Sequence, residues 1–141
     1  MIIEALREIH AKHRLNDGDV SAHTKSAQRI TKEWQNAVCS SQLRPEVRVS
    51  HSNNEKIDIV DLSNLIAYEL KVSGKNTHHE FYKDLIKVLT YNEYADPGKK
   101  LKRLVFVSEL SGINSLQGRL DKKFIQMLKN THGLSIELVS I

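Results

Sequence analysis

Two apolar, alternating stretches separated by only a few residues, KIDIVDLSNLIAYELKVS over 56–73, constrain this chain more than any other feature. Each reads as a strand, and they join through Ser63-Asn64 or through the four residues 62–65, so the segment is a β-hairpin. Both loops are symmetric about the same point, and in either register the numbers of opposed residues sum to a constant. Asp58 therefore faces Glu69, Val60 faces Ala67 and Lys56 faces Lys71. Directly opposed side chains share a face with Cβ atoms about 5 Å apart. Lys71, two residues past Glu69, projects from that same face. Asp61 points from the other face in this register, which makes Asp58 the preferred strand acid.

The periodicity around the hairpin places the remaining elements. Ile2, Leu6, Ile9 and His13 predict a short amphipathic helix over 2–13, ended by Asn16-Asp17-Gly18-Asp19. A second helix is expected over about 21–40, its apolar face formed by Ala27, Ile30, Trp34, Ala37 and Val38, with Pro45 closing the helical region. Strands follow at 46–50, 56–62 and 65–72, the last rich enough in apolar residues to be covered on both faces. Thr77 and Glu80 have the spacing of a capping box and open a third helix with Phe81, Leu85, Val88 and Leu89 inward. Asp96-Pro97-Gly98 ends it. Residues 104–107 form a buried strand parallel to its predecessor, because a helix intervenes. One further helix over about 115–130, weakened by Gly118, leads to a C-cap at Gly133 and a last strand over 134–141. The order α-α-β-β-β-α-β-α-β predicts an α/β fold in one domain spanning 1–141, a mixed central sheet flanked by helices.

Composition narrows the setting. A single cysteine, Cys39, rules out an internal disulfide and a Cys-rich zinc site, and fits a reducing compartment. His10 and His13 share a helical face but have no third ligand. No apolar run nears the roughly 20 residues of a membrane helix, and the charged start is no secretory signal, so a soluble cytoplasmic protein without a membrane partner is expected. The net charge of +4 suits a nucleic-acid partner, since cations on phosphates release counterions.

Two opposed carboxylates in an apolar hairpin repel, and burial increases that cost. A hard divalent cation such as Mg²⁺, with Mn²⁺ as an alternative, relieves the conflict, being held by one or two carboxylates plus water and phosphate oxygens. At these residues the chain resembles the PD-(D/E)xK nuclease superfamily. The motif reads Ile57-Asp58, ten residues, then Glu69-Leu70-Lys71, and the helix–three strands–helix–strand order over about 21–108 matches that family's core. Ile57 stands where the usual proline precedes the acid.

The resemblance implies a restriction-endonuclease-like fold and metal-dependent hydrolysis of phosphodiester bonds in DNA, of the restriction or repair type. Asp58, Glu69 and the backbone carbonyl of Leu70 would be the metal ligands, and Lys71 would orient water or stabilise charge on the phosphate. Glu33, from the helix before the first strand, is the best candidate for a fourth acidic member. A homodimer is implied, since one domain offers one site and duplex cleavage needs two. RNA stays open as a substrate, because no residue pattern reads the 2′-hydroxyl. Lys83 and Lys87 lie one helical turn apart, and Lys99, Lys100, Lys102 and Arg103 form the densest basic cluster; these are the candidates for phosphate-backbone contact. The alternatives are a catalytically silent nuclease-fold module that binds nucleic acid or protein, and a chance arrangement in an unrelated α/β binding domain.

Overall fold

The computed structural model describes residues 1–16, 20–73 and 75–141, and their side chains except those of 16 and 20–26. Two helices, α1 (Ile2–Asn16) and α2 (Val20–Val38), precede the meander β1 (Leu43–Arg48), β2 (Lys56–Asp61) and β3 (Ile66–Lys71). Helix α3 (Thr77–Tyr94) and a 3-10 turn (Pro97–Lys99) lead to β4 (Arg103–Ser108), then α4 (Leu110–Arg119), α5 (Lys122–His132) and β5 (Ser135–Ser140). The five strands form one mixed sheet in chain order: β1–β2–β3 antiparallel, β3–β4–β5 parallel. The α/β class and the mixed sheet between helices are those the residue pattern predicts. The expected break at 17–19 lies outside the described residues.

Helices cover both faces of the sheet, and the pleat sorts the side chains between them. Leu6, Ile30 and Trp34 of α1 and α2 pack with Ile59, Val105 and Val107, and Ile66, Tyr68 and Leu70 of β3 join this side. Phe81, Leu85 and Val88 of α3 pack with Ala67, Leu104 and Phe106 on the opposite face, where Leu116 and Leu128 complete the layer. Strand β4 is covered on both sides and is apolar over residues 104–107, as a parallel strand between helical layers must be. Helix α3 must therefore press its apolar stripe onto the face from which Ala67 projects.

Several local expectations are corrected. Strand β1 starts at Leu43 and contains Pro45, which closes no helix. Helix α2 has already ended at Val38, and a residue without an N–H is tolerated on an edge strand. Ala37 is exposed rather than part of the apolar face. The capping box at Thr77 and Glu80 does not form: Asn76 occupies the cap position with φ 55° and no side-chain bond, while the Thr77 hydroxyl donates to the Gly112 carbonyl at 3.1 Å. A tertiary partner has displaced a local one. The single helix expected over 115–130 is two, because Asp121 accepts the N–H groups of Lys123 and Phe124 and starts α5 afresh. Gly133 does end α5 in the left-handed region, at φ 61°.

The hairpin turn has its own anchor. Asp61 accepts the backbone N–H groups of Ser63 and Asn64, both at 3.0 Å, and the Asn64 side-chain amide at 2.9 Å. Hydrogen bonds to charged acceptors of this kind contribute a net of about 1.5–3 kcal/mol when well shielded from water, and less at an exposed turn. Asp61→Ala should lower the stability by roughly 1–3 kcal/mol in urea unfolding, and Asp61→Asn should recover most of the loss. An unchanged midpoint in Asp61→Ala would show the turn to be held by backbone alone.

Candidate active site

Strands β2 and β3 pair in the register the hairpin arithmetic predicts, with Ile59 opposite Tyr68, Val60 opposite Ala67 and Asp61 opposite Ile66. The backbone ladder stops there. One step beyond it, side chains take over: Leu70 N–H donates to Asp58 Oδ2 at 2.9 Å, and Asp58 N–H donates to Glu69 Oε1 at 3.2 Å. The same position is irregular on the other side of β2. Pairing with β1 joins Pro45 to Ile59 and Val47 to Ile57 but skips Glu46 and Asp58 between them, and Glu46 sits at φ 48°. Ile57 and Val60 pack toward α3 while Ile59 packs toward α1 and α2, so the alternation slips at Asp58. The result is a kink without an inserted residue, which detaches Asp58 from both neighbouring ladders. A left-handed φ on a non-glycine residue costs about 1–2 kcal/mol, and strain of this kind gathers at functional sites.

Glu69 is almost fully buried, at 2% exposure, and its carboxylate turns toward α3. Lys87 of α3 meets it at 2.8 Å, meets Asp84 at 3.1 Å and donates to the Lys56 carbonyl at 2.7 Å. Two carboxylates and a backbone carbonyl thus share one ammonium, with the Asp58 carboxylate close by. Burial pushes the Glu69 carboxyl well up, and the negative charges of Asp58 and Asp84 push it further against the pull of Lys87. Burial also raises Asp58 and lifts Asp84 to about 6. It works against the Lys87 ammonium, but Glu69 and Asp84 outweigh it and raise that group's pKa.

This shift has a measurable consequence. A carboxyl whose folded pKa exceeds its unfolded value, here about 6 against 3.8 for Asp84, favours folding while it is protonated. That contribution is complete below the unfolded value and is lost as pH rises through about 6. Two units correspond to on the order of 3 kcal/mol. Wild type should therefore lose more stability between pH 4 and 7 than Asp84→Asn does, measured by urea unfolding without added metal. Parallel profiles would remove Asp84 as the source.

On the other face lies a cleft of about 860 Å³, lined by Thr31, Lys32 and Gln35 of α2, Arg14 of α1, Glu46 of β1, residues 70–73 and 75 at and beyond the end of β3, and Glu109 and Ser111 at the start of α4. Lys71 lines this cleft whereas Glu69 turns to α3, so the shared face expected for the two is not kept; Lys71 forms no ion pair within 4.0 Å among the described residues. Gln35, buried at 3% exposure, donates from its side-chain amide to the Asp58 carbonyl at 2.9 Å, fixing the kinked backbone from the helix side. The Leu70 N–H points at β2, and in an extended strand the C=O of the same residue points the same way. The Leu70 carbonyl therefore faces the gap where the ladder is open.

The remaining sequence candidates fall elsewhere. Glu33 is not beside the hairpin; its carboxylate meets His13 of α1 at 3.0 Å, and Gln35 is the α2 residue that reaches β2. Lys87 is not a solvent-facing partner of Lys83: it is 9% exposed with its three N–H groups engaged. Lys83 is exposed beside a smaller groove of about 360 Å³ between α3 and the β1–β2 connection. Arg103 pairs in register with Ile66 and Ser108 with Lys71, so Lys99, Lys100, Lys102 and Arg103 gather at the opposite end of β3 from Lys71. That separation is about 16 Å at 3.3 Å per residue. Arg103 is also within 3.7 Å of Glu137 on the neighbouring strand.

Asp84 and Gln35 escaped the sequence reading, although Asp84 left a signal. It follows Phe81 by three residues and precedes Val88 by four, on the apolar stripe itself. A charge there demands a buried partner.

Among the described residues, no group of three or more His, Cys, Asp or Glu side chains is arranged to hold an ion. Asp58 and Glu69 are a pair of carboxylates, short of such a group. Asp58 Oδ1 and Glu69 Oε2 accept no backbone N–H among the described residues, and the two carboxyl groups lie within hydrogen-bonding reach of each other. The local charge is uncompensated by two when all three carboxylates are ionised, three negative against one positive. Oxygen donors with excess negative charge suit hard cations such as Mg²⁺ or Mn²⁺. None of the described helices is long and apolar enough to cross a membrane. No family model, curated protein or solved structure matches this chain.

Proposed function

We propose that this chain is a metal-dependent endonuclease of the PD-(D/E)xK type, hydrolysing phosphodiester bonds in DNA. One observation carries the reading: Asp58 and Glu69 bind each other's strand through side chains, at a kink, with more negative charge than Lys87 balances. Such a pair is costly in an apolar hairpin unless a cation uses it. The restriction-endonuclease-like assignment of the fold belongs to the same proposal, supported by the antiparallel meander running into a parallel crossover.

Asp58, Glu69 and the Leu70 carbonyl would hold Mg²⁺, or Mn²⁺ in its place. When bound there, the cation supplies Lewis acidity toward a phosphoryl oxygen and lowers the pKa of water. The protein's own groups do the rest. Gln35 keeps the Asp58 backbone in its kinked position. Lys71, on the wall of the cleft and without an ion-pair partner among the described residues, would donate to a non-bridging phosphate oxygen as charge builds on it. Arg14, Lys32 and Lys75 give the cleft further cationic lining for the flanking strand, offset by Glu46 and Glu109. Cutting both strands of a duplex with one site per chain calls for a homodimer. RNA offers the same phosphodiester to these groups.

The contact that favours a silent binding module is also present, since Lys87 already gives Glu69 a counter-charge. Supercoiled plasmid incubated with the purified chain separates the two readings. Nicked or linear product that requires Mg²⁺ or Mn²⁺ is expected. Retardation of the plasmid in gels, with no cleavage in either metal, would replace the enzyme with the module. Linear, branched and single-stranded DNA, and RNA, run in parallel identify the substrate.

A further inference from the structure

The Lys87 ammonium joins three segments: Glu69 on β3, Asp84 on its own helix and the Lys56 carbonyl at the start of β2. An ammonium has three N–H donors, so its capacity is used in full. Lys56 lies two residues before Asp58, and one cation therefore ties β2 to β3 beside the point where their ladder is open. Glu69 is gripped by a single oxygen, Oε1, which also receives the Asp58 N–H. Asp84, buried at 4% exposure, faces the lysine rather than solvent.

We propose that Lys87 and Asp84 are a positioning pair for Glu69 and set how tightly Asp58 and Glu69 hold a divalent cation. The inference rests on the reading of Asp58 and Glu69 as a cation site. A carboxylate held by one oxygen keeps its rotamer and offers the other oxygen to a ligand, which is the support that outer residues give a metal ligand. The charges act as well. The fixed ammonium opposes a second cation in the same buried space, and the Asp84 carboxylate assists it. A lysine serving only to stabilise the fold would, when removed, loosen the site; a counter-charge, when removed, tightens it.

The test is Mn²⁺ binding to the full chain, followed by the electron paramagnetic resonance of free Mn²⁺. Wild type, Lys87→Met, Asp84→Asn and the Lys87→Met/Asp84→Asn double variant are compared. Lys87→Met should bind about tenfold more tightly or better, Asp84→Asn should bind weaker by a similar factor, and the double variant should return to within about threefold of wild type. At saturating Mg²⁺ the double variant should show a lower kcat, because Glu69 is no longer held. Equal affinities across the four proteins, or looser binding in Lys87→Met, would overturn the proposal while leaving the cation site standing. Should Lys87→Met fail to fold, Asp84→Asn decides alone, since it keeps the Lys87–Glu69 contact and removes a like charge; an unchanged affinity there overturns the proposal. Absence of Mn²⁺ binding in wild type at millimolar concentration defeats the cation site itself, and this proposal with it.

Discussion

Lys71→Ala should lower metal-dependent DNA cleavage by about 10²–10³-fold or more, with the fold and DNA binding nearly unchanged. The side chain stands at the end of β3 on the wall of the cleft. It is half-buried and makes no ion pair among the described residues, so its loss breaks no structural contact of that kind. Substitutions of this sort usually shift stability by under about 0.5 kcal/mol. On the proposed mechanism the substitution removes a donor aimed at developing charge, which would act on kcat rather than on the ground state. The variant should still bind Mn²⁺, because the carboxylates are untouched. Circular dichroism, Mn²⁺ binding and plasmid cleavage together check each part. Wild-type rates in both Lys71→Ala and Glu69→Ala would defeat the catalytic assignment.

The largest effect on stability is expected at Lys87. Replacing it by Ala leaves Glu69 and Asp84 buried without their cation, and breaking one side of a buried pair costs about 3–5 kcal/mol. For a chain of this size that corresponds to a fall in Tm of roughly 10–15 °C. Part of the cost comes from the Lys56 carbonyl, which loses its donor. Replacing Lys87 by Met and Asp84 by Leu together should restore only the part of the loss that comes from Asp84, since Glu69 stays buried without its cation. Differential scanning calorimetry of the single and double variants makes the comparison. A drop under about 1 kcal/mol in Lys87→Ala would show that water reaches the cluster freely.

Much of this architecture is legible in the residues, and the failures share a cause. The hairpin register follows from two alternating strands and a short loop, because a slip of one residue would exchange the faces. The parallel crossover follows from a helix between two apolar strands. What is hidden depends on neighbours distant in sequence. Thr77 has the spacing of a cap, yet Gly112 of α4, 35 residues on, takes its hydroxyl. Lys87 has the spacing of a solvated stripe, yet Glu69 and Lys56 on two strands draw it inward. Glu33 and Gln35 are both polar residues flanking Trp34, and only the packing of α1 decides that His13 takes the first and the sheet receives the second. The kink at Glu46 and Asp58 leaves no mark in hydrophobic periodicity, since no residue is inserted.

That kink also governs how the sheet ends. Strand β1 is one of the two outer strands, and an uncovered outer strand is a template on which another chain can extend the sheet. Pro45 offers no N–H, and the left-handed turn at Glu46 bends the backbone one residue later. A foreign strand laid along β1 would lose its register after a few residues. The distortion that detaches Asp58 from both ladders thus also guards the protein against edge-to-edge aggregation along β1, and a dimer of the proposed enzyme would have to be built through another surface.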